Sequence, residues 1–157
     1  MKKYELTSNF VVDIFGKKLF QIKATVDFGA IKKGEKGGYI EKESNLAQSG
    51  NAWVADNALV SGNARVSGNA EVSGDAEVSG DADYLCIKGI GSEFRNTTAY
   101  KSKNGIEVNC GCFFGTLQDF ETKVKQTHGD SKFAKEYNLF IDMIKLHFDV
   151  EGEASND

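Results

Sequence analysis

A chain of 157 residues and 17.1 kDa has room for one compact domain or two small ones, and 40 % hydrophobic with 27 % charged residues excludes a wholly disordered polymer. Seventeen glycines without one proline exclude collagen-like and proline-rich linker proteins, which need the pyrrolidine ring. The net charge of −4 is uneven: residues 1–51 carry +3, 52–84 carry −5, 85–148 carry +2 and 149–157 carry −4. No basic stripe suits duplex nucleic acid. No apolar run approaches 18 residues, and Met1 to Leu6 lacks a signal-peptide core, so a soluble protein without a membrane partner is expected. The odd set of Cys86, Cys110 and Cys112 argues against a disulfide framework.

Residues 1–38 read as a β-hairpin cap. Phe10-Val11-Val12 and Leu19-Phe20-Gln21-Ile22 flank a turn at Gly16-Lys17-Lys18, and Lys33 to Gly38 reads as a flexible loop into Tyr39-Ile40. Residues 39–84 are a repeat. Ala52, Ala58, Ala64, Ala70, Ala76 and Ala82 recur every six residues, as do Val54, Val60, Val66, Val72 and Val78, with Tyr84 next. The unit Ala-x-Val-Ser-Gly-Asn/Asp has the wrong period for a helix. It suits a short strand with two inward residues, followed by a corner. Stacked strands also account for the missing proline, because each backbone N–H is needed as a donor.

This pattern resembles the hexapeptide repeat of left-handed parallel β-helices, in which three hexads make one coil. That resemblance implies vertical stacks 18 residues apart: Ala52 on Ala70, Val54 on Val72, Val60 on Val78 and Asn51 on Asn69, with an exposed Arg65–Asp83 ion pair. Trp53 and Leu59 fall on outward positions and call for a cover, from the chain itself or from another subunit.

Residues 85–148 lose the period and read as a small α+β unit. Leu85-Cys86-Ile87 is a strand, Lys103-Asn104-Gly105 a hairpin turn and Ile106 to Cys112 the return strand. Thr116 with Asp119 caps a helix over 117–127. After His128-Gly129-Asp130-Ser131, a second helix spans 132–148 with an apolar stripe of Phe133, Tyr137, Phe140, Ile141, Ile144 and Phe148. Residues 149–157 read as a disordered acidic tail. The expected class is therefore mainly β: a short left-handed parallel β-helix with a hairpin cap and a C-terminal α+β unit ending in two helices.

Over about 1–148 the order of motifs resembles hexapeptide-repeat proteins of bacteriophages, prophages and their hosts. It is carried by Asp27-Phe28-Gly29, Gly37-Gly38-Tyr39-Ile40-Glu41 and Gly50-Asn51-Ala52-Trp53-Val54 before the hexads. After them come Gly91-Ser92, Arg95-Asn96-Thr97-Thr98, Cys110-Gly111-Cys112-Phe113 and Thr127-His128-Gly129-Asp130. Here Glu93-Phe94 separates Ser92 from Arg95, where related sequences run Gly-Ser-Arg-Asn. The resemblance implies a phage origin, a bacterial cytoplasmic location and a homo-oligomer, a trimer by analogy, but no particular activity.

Several chemistries can be weighed on the residues. An acyltransferase would need a catalytic His, and only His128, with Asp130 to orient it, is a candidate base. A carbonic anhydrase needs three His ligands, and the chain has two. Cys86, Cys110, Cys112 and His128 make a possible zinc set, although Cys-x-Cys is tighter than usual and buried thiols are the simpler reading. The Asn and Asp residues at hexad corners suit turns better than calcium. No cofactor is expected.

The densest polar cluster joins Ser92, Arg95, Asn96, Thr97, Thr98, Tyr100 and Lys101 to His128, offering hydroxyls, a planar guanidinium and a stacking ring to a small phosphate-bearing ligand or a host protein. The expected function is a non-enzymatic, phage-encoded oligomeric binding protein that inhibits or sequesters a component of host antiviral defence. The alternatives are an acyltransferase-like enzyme and a structural component of the phage particle.

Overall fold

Residues 1–150, described by a computed structural model, begin with the expected hairpin. β1 (Tyr4–Val12) and β2 (Lys18–Ala24) pair antiparallel, with Asp13 to Lys17 as the turn. β2 then pairs antiparallel with β3 (Lys36–Ile40). The expected loop over 33–38 is thus part strand. Gly37 belongs there because a Cβ would lie 2.5 Å from the Val54 carbonyl oxygen and 2.7 Å from the Trp53 ring. A missing side chain lets β3 lie flat on the repeat.

The hexads form two-residue strands. β3 continues in parallel into β5 (Leu59–Val60) and β7 (Glu77–Val78), while β4 (Trp53–Val54) pairs in parallel with β6 (Glu71–Val72). Leu46 and Val66 add one isolated parallel bridge. The stacks Val54 on Val72 and Val60 on Val78 have the expected 18-residue register. Their backbone donors run one level along: Trp53 N to Ala70 O at 3.0 Å, Ala55 N to Val72 O at 2.8 Å and Ser61 N to Val78 O at 2.9 Å. Inside, Ala52, Val54, Ala58, Val60, Val66, Ala70 and Val72 are wholly buried. Each buried valine contributes about 1.5–3 kcal/mol of transfer free energy. Trp53 is covered from within the chain, by Phe28 with ring centroids 5.4 Å apart and by β3, and Leu59 is half-buried. The Arg65–Asp83 pair does not form. Arg65 N donates to Asp81 Oδ1 at 2.8 Å, and Asp83 pairs with Lys101 at 3.2 Å.

The expected class is corrected. Among the described residues the chain is mixed α/β, with eleven strands in antiparallel and mixed sheets and two C-terminal helices, and no left-handed parallel β-helix organises it. The cause lies in the repeat unit. Its corner consumes most of the hexad and leaves two residues to pair, whereas corner-free flanks grow antiparallel strands of four to nine residues.

The C-terminal unit is a four-stranded antiparallel sheet in the order β11-β10-β9-β8. It comprises β8 (Tyr84–Ile90), β9 (Arg95–Ser102), β10 (Gly105–Cys110) and β11 (Phe113–Thr116). The expected return strand over 106–112 breaks at Gly111-Cys112, a two-residue turn that creates β11. α1 (Leu117–His128) is capped by Thr116 Oγ1, which accepts from Asp119 N at 3.1 Å, and α2 (Lys132–His147) is capped by Ser131. Both bury their apolar stripes on Ala99, Val108 and Cys110 of the sheet. The acidic tail expected over 149–157 lies outside the described residues from 151 onward. Among the described residues no helix is long and apolar enough to cross a membrane.

Candidate functional site

β9 alternates, and the alternation divides the polar cluster. Asn96, Thr98 and Tyr100 face the repeat, where they dock the two halves of the molecule. Thr98 Oγ1 accepts from Glu71 N at 3.1 Å, and Tyr100 OH lies 3.2 Å from Ser73 Oγ. The Asn96 side-chain amide donates to Asn69 O. Asn109, on neighbouring β10, completes this seam by donating to Ser73 Oγ at 2.6 Å and to Glu71 O at 3.1 Å. Burial pushes the Tyr100 hydroxyl up to about 12, so it remains a neutral partner in this network.

The other parity turns toward the helices. Thr97 is fully buried there and donates to Cys110 Sγ at 3.2 Å. Lys101, at the far end of the strand, is held by Asp83. Burial raises the Asp83 carboxyl, but N–H groups of Ser79 and Gly80 together with Lys101 outweigh that and hold it below the usual range. Asn96, Thr97, Thr98, Tyr100 and Lys101 are therefore occupied by the protein's own contacts.

Ser92, Arg95 and His128 do meet. They line a cavity of about 350 Å³ at the open end of the sheet, roofed by α1. Ser92 sits in the β8–β9 turn, whose Gly91 has φ of +79° and packs its Cα against the Tyr137 hydroxyl. Arg95 opens β9 and lies across Gly111 of the β10–β11 turn. α1 contributes Phe120, Lys123, Val124, Thr127 and His128, all on one face by the spacing of a helix. Its last residue, His128, stacks on Tyr137 with ring centroids 5.6 Å apart. Lys123, Thr127 and Tyr137 also line the cavity, Lys123 and Thr127 on the 120–123–124–127–128 face of α1 and Tyr137 from the apolar stripe of α2; both patterns read first as core stripes.

The lining carries both signs, Arg95 and Lys123 against the carboxylate of Glu93. Among the described residues neither Arg95 nor Lys123 forms an ion pair. Ser92 and Thr127 bring hydroxyls, and Phe113 with Phe120 brings an apolar wall. Burial, reinforced by the Cys110 thiol 3.6 Å away, drives the Tyr137 hydroxyl well above its ordinary range, with Arg95 opposing, so it stays neutral. His128 has aromatic neighbours, Tyr137 and Phe133, and Asp130 lines a separate groove between the helices. The pairing expected for a general base is not formed.

The zinc set does not assemble. Cys86 is exposed and hydrogen-bonded to Asn96 Oδ1 at 2.7 Å, while Cys110 is buried between Thr97 and Tyr137. Among the described residues no three His, Cys, Asp or Glu side chains are grouped to hold a metal ion. No protein-family model matches this sequence, and no curated protein matches it.

Proposed function

We propose that this protein is a non-enzymatic binding protein that takes a small phosphate-bearing ligand in the cavity under α1. The observation that carries the reading is the convergence of Arg95 and Lys123, both without ion-pair partners among the described residues, with His128, Ser92 and Thr127 around one concavity, where two cations stand against one carboxylate, Glu93. A guanidinium presents a planar fork to two phosphate oxygens, and hydroxyls donate to the remaining ones. The resemblance to bacteriophage hexapeptide-repeat proteins adds a setting, the cytoplasm of an infected bacterium, where such a protein would sequester a component of host defence. Among the described residues no carboxylate is hydrogen-bonded or ion-paired to His128, which weighs against the acyltransferase alternative.

Titration calorimetry with pyrophosphate tests the reading. Binding is expected in the wild type and is expected to weaken about 10- to 100-fold in Arg95→Ala or Lys123→Ala, the range for losing a charge-assisted hydrogen bond. No heat with wild type, or equal affinity in both variants, would overturn it. Turnover of acetyl-CoA by the wild type would restore the enzymatic alternative.

A further inference from the structure

The β1–β2 hairpin ends in apolar side chains with nothing over them. Ile14 and Phe15 are 93 % and 80 % exposed, and Val12 is 56 % exposed. They overhang a groove of about 560 Å³, with Leu59 and Val78 in its floor and the β9–β10 hairpin as its far wall. The tip is held in one shape. Asp13 Oδ1 accepts from the N–H groups of Phe15 and Lys17, each at 2.9 Å, and Gly16 N donates to Asp13 O at 3.0 Å. Little order has to be gained on docking, which favours association.

The charges on the rim discriminate between occupants. Lys101 and Asp83 satisfy one another at 3.2 Å. Lys103 and Glu77 stand on the same rim with opposite signs, and among the described residues neither is in an ion pair. An anionic lipid surface would be met by Asp13, Glu77 and Asp83 as well as by the lysines. A rim bearing both free signs around an apolar centre is complementary to itself, as a two-fold contact requires.

We propose that this groove is a self-association face: Ile14 and Phe15 of one protomer seat in the groove of a second copy of this chain, with Lys103 of each facing Glu77 of the other. The contact is isologous, and it leaves the α1 cavity open on both protomers.

Sedimentation equilibrium on the full chain is the test. Wild type is expected to be a dimer and I14D/F15D a monomer with an unchanged melting temperature, since both substituted side chains are exposed. K103E and E77K are each expected to weaken the dimer about tenfold, and K103E/E77K to recover it, as expected of a facing charge pair. A monomeric wild type would overturn the proposal, as would a trimer or a dimer that survives I14D/F15D. So would a dimer lost only in L139D/L146D, on the outer face of α2, where Leu139 and Leu146 are also exposed.

Discussion

The Arg95 side chain occupies the space in which a Cβ on Gly111 would stand. Gly111 has φ of +59°, a conformation that L side chains resist, so two constraints coincide on one residue. Gly111→Ala is therefore expected to cost about 1–3 kcal/mol through backbone strain and to push the guanidinium off its position. Urea unfolding reads the first effect and pyrophosphate titration the second. A variant as stable and as tight as wild type would show that Arg95 does not rely on this turn.

Lys3 gives a pH dependence of defined sign. Its ammonium lies beneath the hairpin, donating to Ala52 O at 2.8 Å and sitting 4.8 Å from the Phe28 ring centroid, with no carboxylate partner among the described residues. Burial brings it down to about 8 from 10.5. The unfolded chain then holds more protons between those values, so stability rises as pH climbs from about 8 toward 10.5, and the full penalty applies below 8. Lys3→Met is expected to flatten that rise. Urea midpoints at pH 7.5 and 9.5 check it, and parallel profiles for wild type and variant would refute the assignment.

Tyr100→Phe removes the hydroxyl that links Ser73 and Asn109 across the seam between the repeat and the C-terminal sheet. Because Tyr100 is fully buried, the loss is expected to cost about 1–3 kcal/mol by leaving polar partners short of a bond. The same substitution should leave pyrophosphate affinity unchanged, since the cavity lies on the other face of the sheet. An affinity loss larger than the stability loss would move Tyr100 back into the site.

Asn45 clamps the first turn of the repeat to the next. Its carboxamide is fully buried, donates to Ala64 O at 2.8 Å and Gly62 O at 3.2 Å, and accepts from Lys42 N at 2.9 Å. Asn45→Ala strands these backbone groups and is expected to cost about 3 kcal/mol, at the upper end for orphaned buried partners. Hydrogen exchange should localise the opening to the Gly62 to Val66 segment. Protection there equal to wild type would show that water replaces the amide at no cost.

What could be read from the sequence followed from period. The hexads gave their own stacking register, the 3.6-residue stripes gave both helices, and Asn104-Gly105 gave the β9–β10 turn. The class is not legible from the repeat, because its period does not show how few residues each hexad leaves for pairing. Residue chemistry groups Ser92, Arg95 and His128, which line one cavity, with Asn96, Thr98 and Tyr100, which do not, because the period-2 alternation of β9 sends successive side chains to opposite faces. Cys110-Gly111-Cys112 reads as a continuous strand until the turn is seen. The burial of Lys3 depends on a hairpin folding over the repeat, a tertiary event with no local signature.

The 18-residue register between paired hexads also sets a quantum for the length of this molecule. Adding three hexads would keep the two-residue strands in their parallel register. Adding one or two would move Glu71 and Ser73 out of register with Thr98, Tyr100 and Asn109 and tear that seam. Insertions in this stretch should therefore be tolerated in blocks of three hexads, which lengthen the span between the hairpin tip and the cavity under α1 and keep the strand pairs in register.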